Sequence, residues 1–411
     1  MRREQFDSFK NFLERIALNS GFYKNKFETL GIDINDIKTP DDIKRLPFTT
    51  KEELRDAYPL GLQATPDEKV VRIHSSSGTT GKPIIIPYTE NDVKDWALLM
   101  ARCFELAGVT PLDRVQITPG YGLWTAGIGF QAGVEKIGAM AVPMGPGNTD
   151  KQLQMMMDLK STVFIATSSY ALVIAEEVEK RGIRSNIHLK KGVIGSERWG
   201  EKMRNRIKNE LGIDIYDIYG LTEIYGPGIS IDCDYHSGLH YWDDYLYFEI
   251  IDPVTGEPLK DGEYGELVIT TLKKEGAPLL RYRTRDLTRI IPGECPCGSK
   301  FPRHDLIIGR TDDMVKVKGV NIYPGQIDEL LRDIEGASSE YQVVIKHENG
   351  KDEMTLRVEK EQNSNENKLR EMVVDQFKKR VGIHIEAEIL GIGELPRSEK
   401  KSKRIIDYRY Q

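Results

Sequence analysis

Nine consecutive residues of this 411-residue chain, Ser75-Ser76-Ser77-Gly78-Thr79-Thr80-Gly81-Lys82-Pro83, combine five hydroxyl side chains, two glycines and one lysine. Such a stretch can turn backbone N–H groups and hydroxyls toward an anion, because glycine removes the steric cost of the turn and the ammonium adds a point charge. It is not a Walker A loop, which needs glycine where Ser76 stands and a hydroxyl residue where Pro83 stands. Its order, directly after a β-rich run, predicts a loop for a nucleotide triphosphate. A second constellation uses three of the four cysteines. Cys233 precedes His236 and His240, and Cys295 and Cys297 lie in Cys-Pro-Cys-Gly. Three thiolates and one imidazole make a closed tetrahedral zinc set, structural in role. His240 is preferred over His236 as the fourth ligand, and free thiols in a reducing compartment are the alternative.

Elements must hold these residues in place. Phe6, Phe9, Phe12, Leu13, Ile16 and Leu18 recur at helical spacing, and Thr50-Lys51-Glu52-Glu53 reads as a capping box. From about residue 70, β-rich runs (70–74, 114–118, 139–143, 163–167, 192–194) alternate with helical stretches (92–106, 151–159, 171–180, 201–211). That alternation predicts a largely parallel sheet. Runs 245–251 and 265–271, bounded by Asp252-Pro253 and Asp261-Gly262, read as antiparallel. In the last hundred residues Ile327, Leu330, Leu331 and Ile334 mark one helical face. Runs 341–346 and 354–358 flank the turn Glu348-Asn349-Gly350-Lys351, and a helix (366–380) and a strand (384–390) follow. The fold class expected is α/β. A large N-terminal domain of mixed sheets and helices covers 1–311, and a small mobile α+β domain covers 312–411. Cys103, inside a helical stretch, reads as core.

The phosphate loop resembles that of adenylate-forming enzymes, the superfamily of acyl-CoA synthetases, luciferases and peptide-synthetase adenylation domains. Further segments match in order. Tyr219-Gly220-Leu221-Thr222-Glu223 resembles the aromatic-Gly-x-Thr-Glu motif. Tyr282-Arg283-Thr284-Arg285-Asp286 resembles Tyr-x-Thr-Gly-Asp, with Arg285 in place of glycine. Gly309-Arg310-Thr311-Asp312-Asp313 resembles the hinge motif, and Pro396-Arg397-Ser398-Glu399-Lys400-Lys401 the C-terminal Pro-Arg-Thr-x-x-Gly-Lys motif, with Lys400 in place of glycine. Within the superfamily, Leu46-Pro47-Phe48-Thr49-Thr50-Lys51, Tyr121-Gly122-Leu123-Trp124-Thr125-Ala126-Gly127 and Thr222-Glu223-Ile224-Tyr225-Gly226-Pro227-Gly228 are similar to phenylacetate–CoA ligases.

The resemblance implies ATP-dependent ligation of an aryl acid, phenylacetate first among them, to coenzyme A through an acyl adenylate. It implies that Ser75 to Lys82 hold the β- and γ-phosphates, that Glu223 binds Mg2+, and that Thr222 hydrogen-bonds the α-phosphate. Tyr219, beside Gly220, would stack on adenine, and Asp286 would accept from the ribose hydroxyls, with Arg310 at the same sugar. Lys401 would bridge carboxylate and α-phosphate, and the C-terminal domain would rotate about Asp312 between half-reactions. Tyr121, Trp124, Thr125 and Ala126 would line the acid pocket, with Ser196 and Glu197 flanking adenine or the acyl group. Similar Cys and His positions in these relatives support the zinc set.

Composition bounds the alternatives. With 58 Lys and Arg against 64 Asp and Glu, the net charge of −6 argues against general attraction to nucleic acid or anionic lipid. Residues 397–411 carry six Lys and Arg against two Asp and Glu, a local excess suited to ATP. Four cysteines are too few for a disulfide scaffold. The N-terminus lacks an apolar signal core, and no uncharged apolar run is long enough to span a bilayer, so a cytoplasmic protein is expected, with a homodimer left open. The rival readings are a nucleotidyltransferase that adenylylates a cofactor, and a catalytically inactive nucleotide-binding regulatory module.

Overall fold

The computed structural model describes residues 1–76, 82–123, 126–197, 199–348, 351–398 and 404–409. Of the residues singled out above, Ser77, Gly78, Thr79, Thr80, Gly81, Trp124, Thr125, Asn349, Gly350, Glu399, Lys400 and Lys401 lie outside the described residues. The chain divides into two compact units. One comprises Met1–Gly145, Thr162–Ile165 and Tyr216–Ile307, and the other Pro146–Ser161, Ala166–Ile215 and Ile308–Gln411.

In the first unit, helices Arg3–Asn19 and Gly21–Leu30 bury Phe6, Phe9, Phe12, Leu13, Ile16, Tyr23 and Phe27 with Leu272 and Leu280. Fully burying one such side chain is worth about 1.5–3 kcal/mol. Leu18, expected on the same stripe, is 81% exposed. Two residues past Ile16 is about 200° around a helix, which turns it to solvent. The Thr50 capping box forms: Thr50 Oγ1 accepts from Glu53 N–H at 3.4 Å, and Glu53 Oε2 accepts from Thr50 N–H at 2.8 Å. It starts helix Lys51–Asp56.

Strands Val70–Ser75 and Ile85–Thr89 pair antiparallel on either side of the phosphate loop. Thr89 and Asp92 then cap helix Glu90–Leu106. Arg114–Ile117 runs parallel to Met140–Pro143 and to residues 163–165. Helix Ala126–Lys136 is not signalled by hydrophobic periodicity, because Gly127, Gly129 and Gly133 interrupt it. Packing accounts for two of these: a Cβ at Gly129 would overlap the Trp96 ring, and one at Gly133 would meet Met100 Cβ at 2.5 Å. The parallel pairing expected of the runs from 70 to 194 holds for 114–117, 140–143 and 163–165 but not for 70–74, which forms the antiparallel hairpin just described, its partner following after a short loop. Beyond residue 216 the pairing in this unit is antiparallel. There Gly226–Ile231 pairs antiparallel with the preceding strand and with Leu239–Tyr241, which pairs with Arg303–His304, and that in turn with Ile290–Ile291. A separate antiparallel set joins Leu246–Ile251, Gly265–Thr271 and Tyr282–Thr288.

In the second unit, helices Thr149–Asp158, Ser168–Arg181 and Glu201–Leu211 accompany strand Lys191–Gly195. Its C-terminal part pairs Ala337–Glu348 with Lys351–Lys360 antiparallel, with Glu386–Leu390 and Ile405–Asp407 added parallel on the two sides. Helices Pro324–Arg332 and Glu366–Val381 cover this sheet, burying Ile327, Leu330, Leu331, Val373 and Phe377 with Val343, Ile345 and Leu356. Among the described residues no helix is long and apolar enough to cross a membrane.

Candidate active site

Ser76 is tied to Ile84, across the segment read as a phosphate loop. Its N–H donates to Ile84 O at 3.0 Å, and its Oγ accepts from Ile84 N–H at 3.0 Å. Ser75 N–H donates to Leu123 O at 2.8 Å, tying the loop to the segment holding Tyr121. Lys82 is exposed, its ammonium 5.8 Å from the Tyr58 ring centroid.

The strand Asp214–Leu221 delivers the next motif. The Tyr219 hydroxyl donates to Asp286 Oδ2 at 2.6 Å, so residues 67 apart in sequence meet. Gly220 sits where a Cβ would overlap the 226–227 backbone, so the bend toward Thr222 and Glu223 needs glycine. Glu223 is buried and pairs with Lys51 Nζ at 3.3 Å, while Thr222 is half-buried. No local pattern in the sequence announces Lys51 as a partner of so distant a carboxylate. Asp286 is 4% exposed, on the strand Tyr282–Thr288. Arg285, which replaces the glycine of the resembled motif, holds φ 66°, the left-handed region that favours glycine. Glu266 Oε1 accepts its N–H at 3.1 Å and Glu52 Oε1 its guanidinium at 2.6 Å, and these contacts hold the conformation.

Tyr121 is half-buried over Gly127, and burial pushes its hydroxyl up to about 12. Ala126 opens the helix Ala126–Lys136. In the second unit, Ser196 takes φ 72°, and the adjacent Glu197 accepts from Ser169 Oγ and, at 3.3 Å, from Ser168 Oγ. Arg310 donates to both carboxylate oxygens of Asp312 at 2.8 and 3.1 Å. Arg397 of the C-terminal motif is gripped by two carboxylates. Its Nε and Nη2 donate to Glu176 at 3.0 and 2.8 Å, and its Nη1 and Nη2 to the fully buried Glu359 at 2.9 and 2.8 Å.

The cysteines converge. The ligand atoms of Cys233, His240, Cys295 and Cys297 all lie within 4.8 Å of one another. Cys233 Sγ is 3.7 Å from Cys295 Sγ, and Cys297 Sγ is 3.3 Å from His240 Nε2. Sulfurs about 2.3 Å from a tetrahedral zinc stand about 3.8 Å apart, so the donor set fits that ion. His240 Nδ1–H donates to Phe301 O at 2.8 Å, which leaves the Nε2 lone pair facing the thiols. His236 instead bonds Asp232 Oδ2 at 2.7 Å. Burial alone would raise the Cys295 thiol. Hydrogen bonds from the Cys297 backbone, Ser237, Cys297 and His240 outweigh it and bring it down to about 6. Cys103 is fully buried in its helix, as expected of core.

Residues 28–272 match the family model of AMP-binding enzymes, and 319–409 match that of the AMP-binding enzyme C-terminal domain. The chain is 42% identical to the phenylacetate–coenzyme A ligase of Escherichia coli K12, over 98% of this chain and 94% of that one. It is 39% identical to that of Thermus thermophilus, over 100% and 97%. A solved 2-hydroxyisobutyryl-CoA ligase, in the postadenylation state with 2-HIB-AMP, superposes with a TM-score of 0.90 at 27% identity over 99% of this chain and 89% of that one. The chain belongs to the AMP-binding, adenylate-forming enzyme family, in its phenylacetate–CoA ligase branch. It is an AMP-forming CoA ligase, joining an acyl group to coenzyme A at the expense of ATP through an acyl adenylate.

Proposed function

We propose that the acid is an arylacetate, with phenylacetate the first candidate, and that the sites divide as the resembled motifs imply. A carboxylate is a poor acyl donor because oxide is a poor leaving group. Its attack on the α-phosphorus of ATP expels pyrophosphate and leaves AMP as the leaving group. The CoA thiolate then adds to the acyl carbonyl and AMP departs. The first step brings two anions together, so cationic and N–H dipoles must offset them. Ser75 to Lys82 would cradle the β- and γ-phosphates. Thr222 would donate to the α-phosphate, Asp286 would accept from the ribose with Arg310 near it, and Tyr219 would lie along adenine. Lys401 would bridge the acid carboxylate and the α-phosphate. Tyr121, Trp124, Thr125 and Ala126 would shape the acid pocket, with Ser196 and Glu197 at its edge or beside adenine.

Glu223, a buried carboxylate, is the group that would hold Mg2+, which when bound would neutralise phosphate charge. Cys233, His240, Cys295 and Cys297 would hold a structural zinc, fastening the 233–240 and 295–297 segments together. We take 312–411 as a lid turning about Asp312, and a reducing, cytoplasmic setting suits cysteines that form no disulfide. The observation that carries the division of sites is the Tyr219–Asp286 hydrogen bond, which joins two of the resembled motifs; the choice of an arylacetate rests on the resemblance to phenylacetate–CoA ligases. Pyrophosphate release across a panel of carboxylic acids, with and without CoA, tests it. Arylacetates should release pyrophosphate and yield a thioester when CoA is added. AMP transfer to another acceptor, with no thioester from any acid, would indicate a nucleotidyltransferase instead.

A further inference from the structure

Lys274 is fully buried, and among the described residues its ammonium has no hydrogen-bond partner. It lies between two tyrosine faces, 3.8 Å from the Tyr88 ring centroid and 4.2 Å from that of Tyr225. The hydroxyls of both tyrosines are buried and without partners among the described residues, as is Nε2 of His74, whose ring stands edge-on to Tyr88 at 5.4 Å. Leaving one such group unpaired costs about 1–3 kcal/mol, and more if it is charged. Four in one cluster is a cost that packing alone does not explain.

The nearby carboxylates are engaged elsewhere. Asp92 accepts backbone N–H groups of Thr89, Glu275 and Gly276 at 2.8–3.1 Å, and Asp95 accepts from Tyr245 Oη at 3.0 Å. They offset the charge of Lys274 without hydrogen-bonding it. Burial lowers the His74 imidazolium below its usual range and so favours the neutral ring; with Nδ1 3.2 Å from Leu123 O, the proton of the neutral ring belongs on Nδ1 and Nε2 presents a lone pair. The cluster thus offers an ammonium donor, two hydroxyls and one acceptor. An acceptor-only group would leave Nε2 unpaired, and a donor-only group would leave the ammonium unpaired. A hydroxyl, with one proton and two lone pairs, satisfies both.

The cluster adjoins the acid-binding segment. Leu123, bonded to His74, lies between Tyr121 and Ala126. Trp96 packs on His74 and Tyr88 and against Gly129, in the first turn of helix Ala126–Lys136. Tyr225 follows Glu223 by two residues. We propose that Lys274, Tyr88, Tyr225 and His74 form a recess for a hydroxyl on the acid substrate, so that the enzyme selects a hydroxylated arylacetate over phenylacetate. The proposal rests on the arylacetate reading above and narrows it.

The test is the ratio of kcat/KM for pyrophosphate release with 2-, 3- and 4-hydroxyphenylacetate to that with phenylacetate, measured in the wild type, Lys274→Met and Tyr225→Phe. A ratio is insensitive to the fraction of enzyme folded. One isomer should exceed phenylacetate by about tenfold or more in the wild type, since a site built to bond a hydroxyl rejects its absence. Both substitutions should bring that ratio toward one. If no isomer outperforms phenylacetate, or if the preference survives both substitutions, the recess holds water alone and the proposal is overturned. If other acids release pyrophosphate and no arylacetate does, the arylacetate reading has failed and the proposal falls with it.

Discussion

The Tyr219 hydroxyl and the Asp286 carboxylate meet at 2.6 Å, one from the strand Asp214–Leu221 and the other from the strand Tyr282–Thr288. The bond fixes the acid that would receive the ribose and the aromatic face that would meet adenine. A hydrogen bond to a charged acceptor contributes about 1.5–3 kcal/mol. Tyr219→Phe should therefore raise KM for ATP about tenfold and leave kcat nearly unchanged. Steady-state kinetics at varied ATP check this, and a fall in kcat at constant KM would contradict it.

The thiols of Cys233, Cys295 and Cys297 with His240 should carry about one zinc per chain, measured by elemental analysis of protein purified without added metal. Cys295→Ser should lower the zinc content and reduce Tm by several degrees, because bound metal adds directly to folding free energy. Zinc-free protein of full stability would refute the assignment.

Lys274 should make stability depend on pH. Burial pushes its ammonium down from 10.5 to about 8, with Asp92 and Asp95 acting against the fall. Between these values the unfolded chain binds the proton that the folded chain has released, so this group adds stability as pH rises from 8 to 10.5. Below 8 the full cost of burying the charge remains. Lys274→Met should thus raise Tm at pH about 7, and its advantage should shrink steadily toward pH 10.5. A constant difference in Tm across that range would contradict the assignment.

Lys401→Ala should separate the two half-reactions. Loss of a charge-stabilising group costs about 10²–10³ in rate where that charge develops. Adenylate formation should fall by that factor, while thioester formation from supplied acyl adenylate and CoA persists. Equal loss in both steps would remove Lys401 from the adenylation chemistry.

Parts of this site are legible in sequence because local chemistry marks them. The strand before the phosphate loop, the Thr50–Glu53 capping box and the Cys-Pro-Cys-Gly turn each rest on neighbours a few residues apart. His240, already preferred in sequence, meets Cys297, whereas His236 turns to Asp232, a difference that only the tertiary contacts display. Lys274 stands in Lys273-Lys274-Glu275, three charges in a row that carry no local signal of burial, and its place between Tyr88 and Tyr225 is set by residues distant in sequence. Helix Ala126–Lys136 is hidden by glycines whose purpose lies in Trp96 and Met100 on another helix. The antiparallel strands after residue 216 pair through short segments too brief to show a period.

Carboxylate oxygen labelling tests the acyl-adenylate route most directly. Phenylacetate or its hydroxylated counterpart, carrying ¹⁸O in the carboxylate, is incubated with ATP, Mg2+ and CoA, and the products are weighed by mass spectrometry. Transfer of one labelled oxygen into AMP, together with formation of the thioester, is the expected result. Unlabelled AMP, or label recovered in phosphate or pyrophosphate, would contradict activation of the acid at the α-phosphorus.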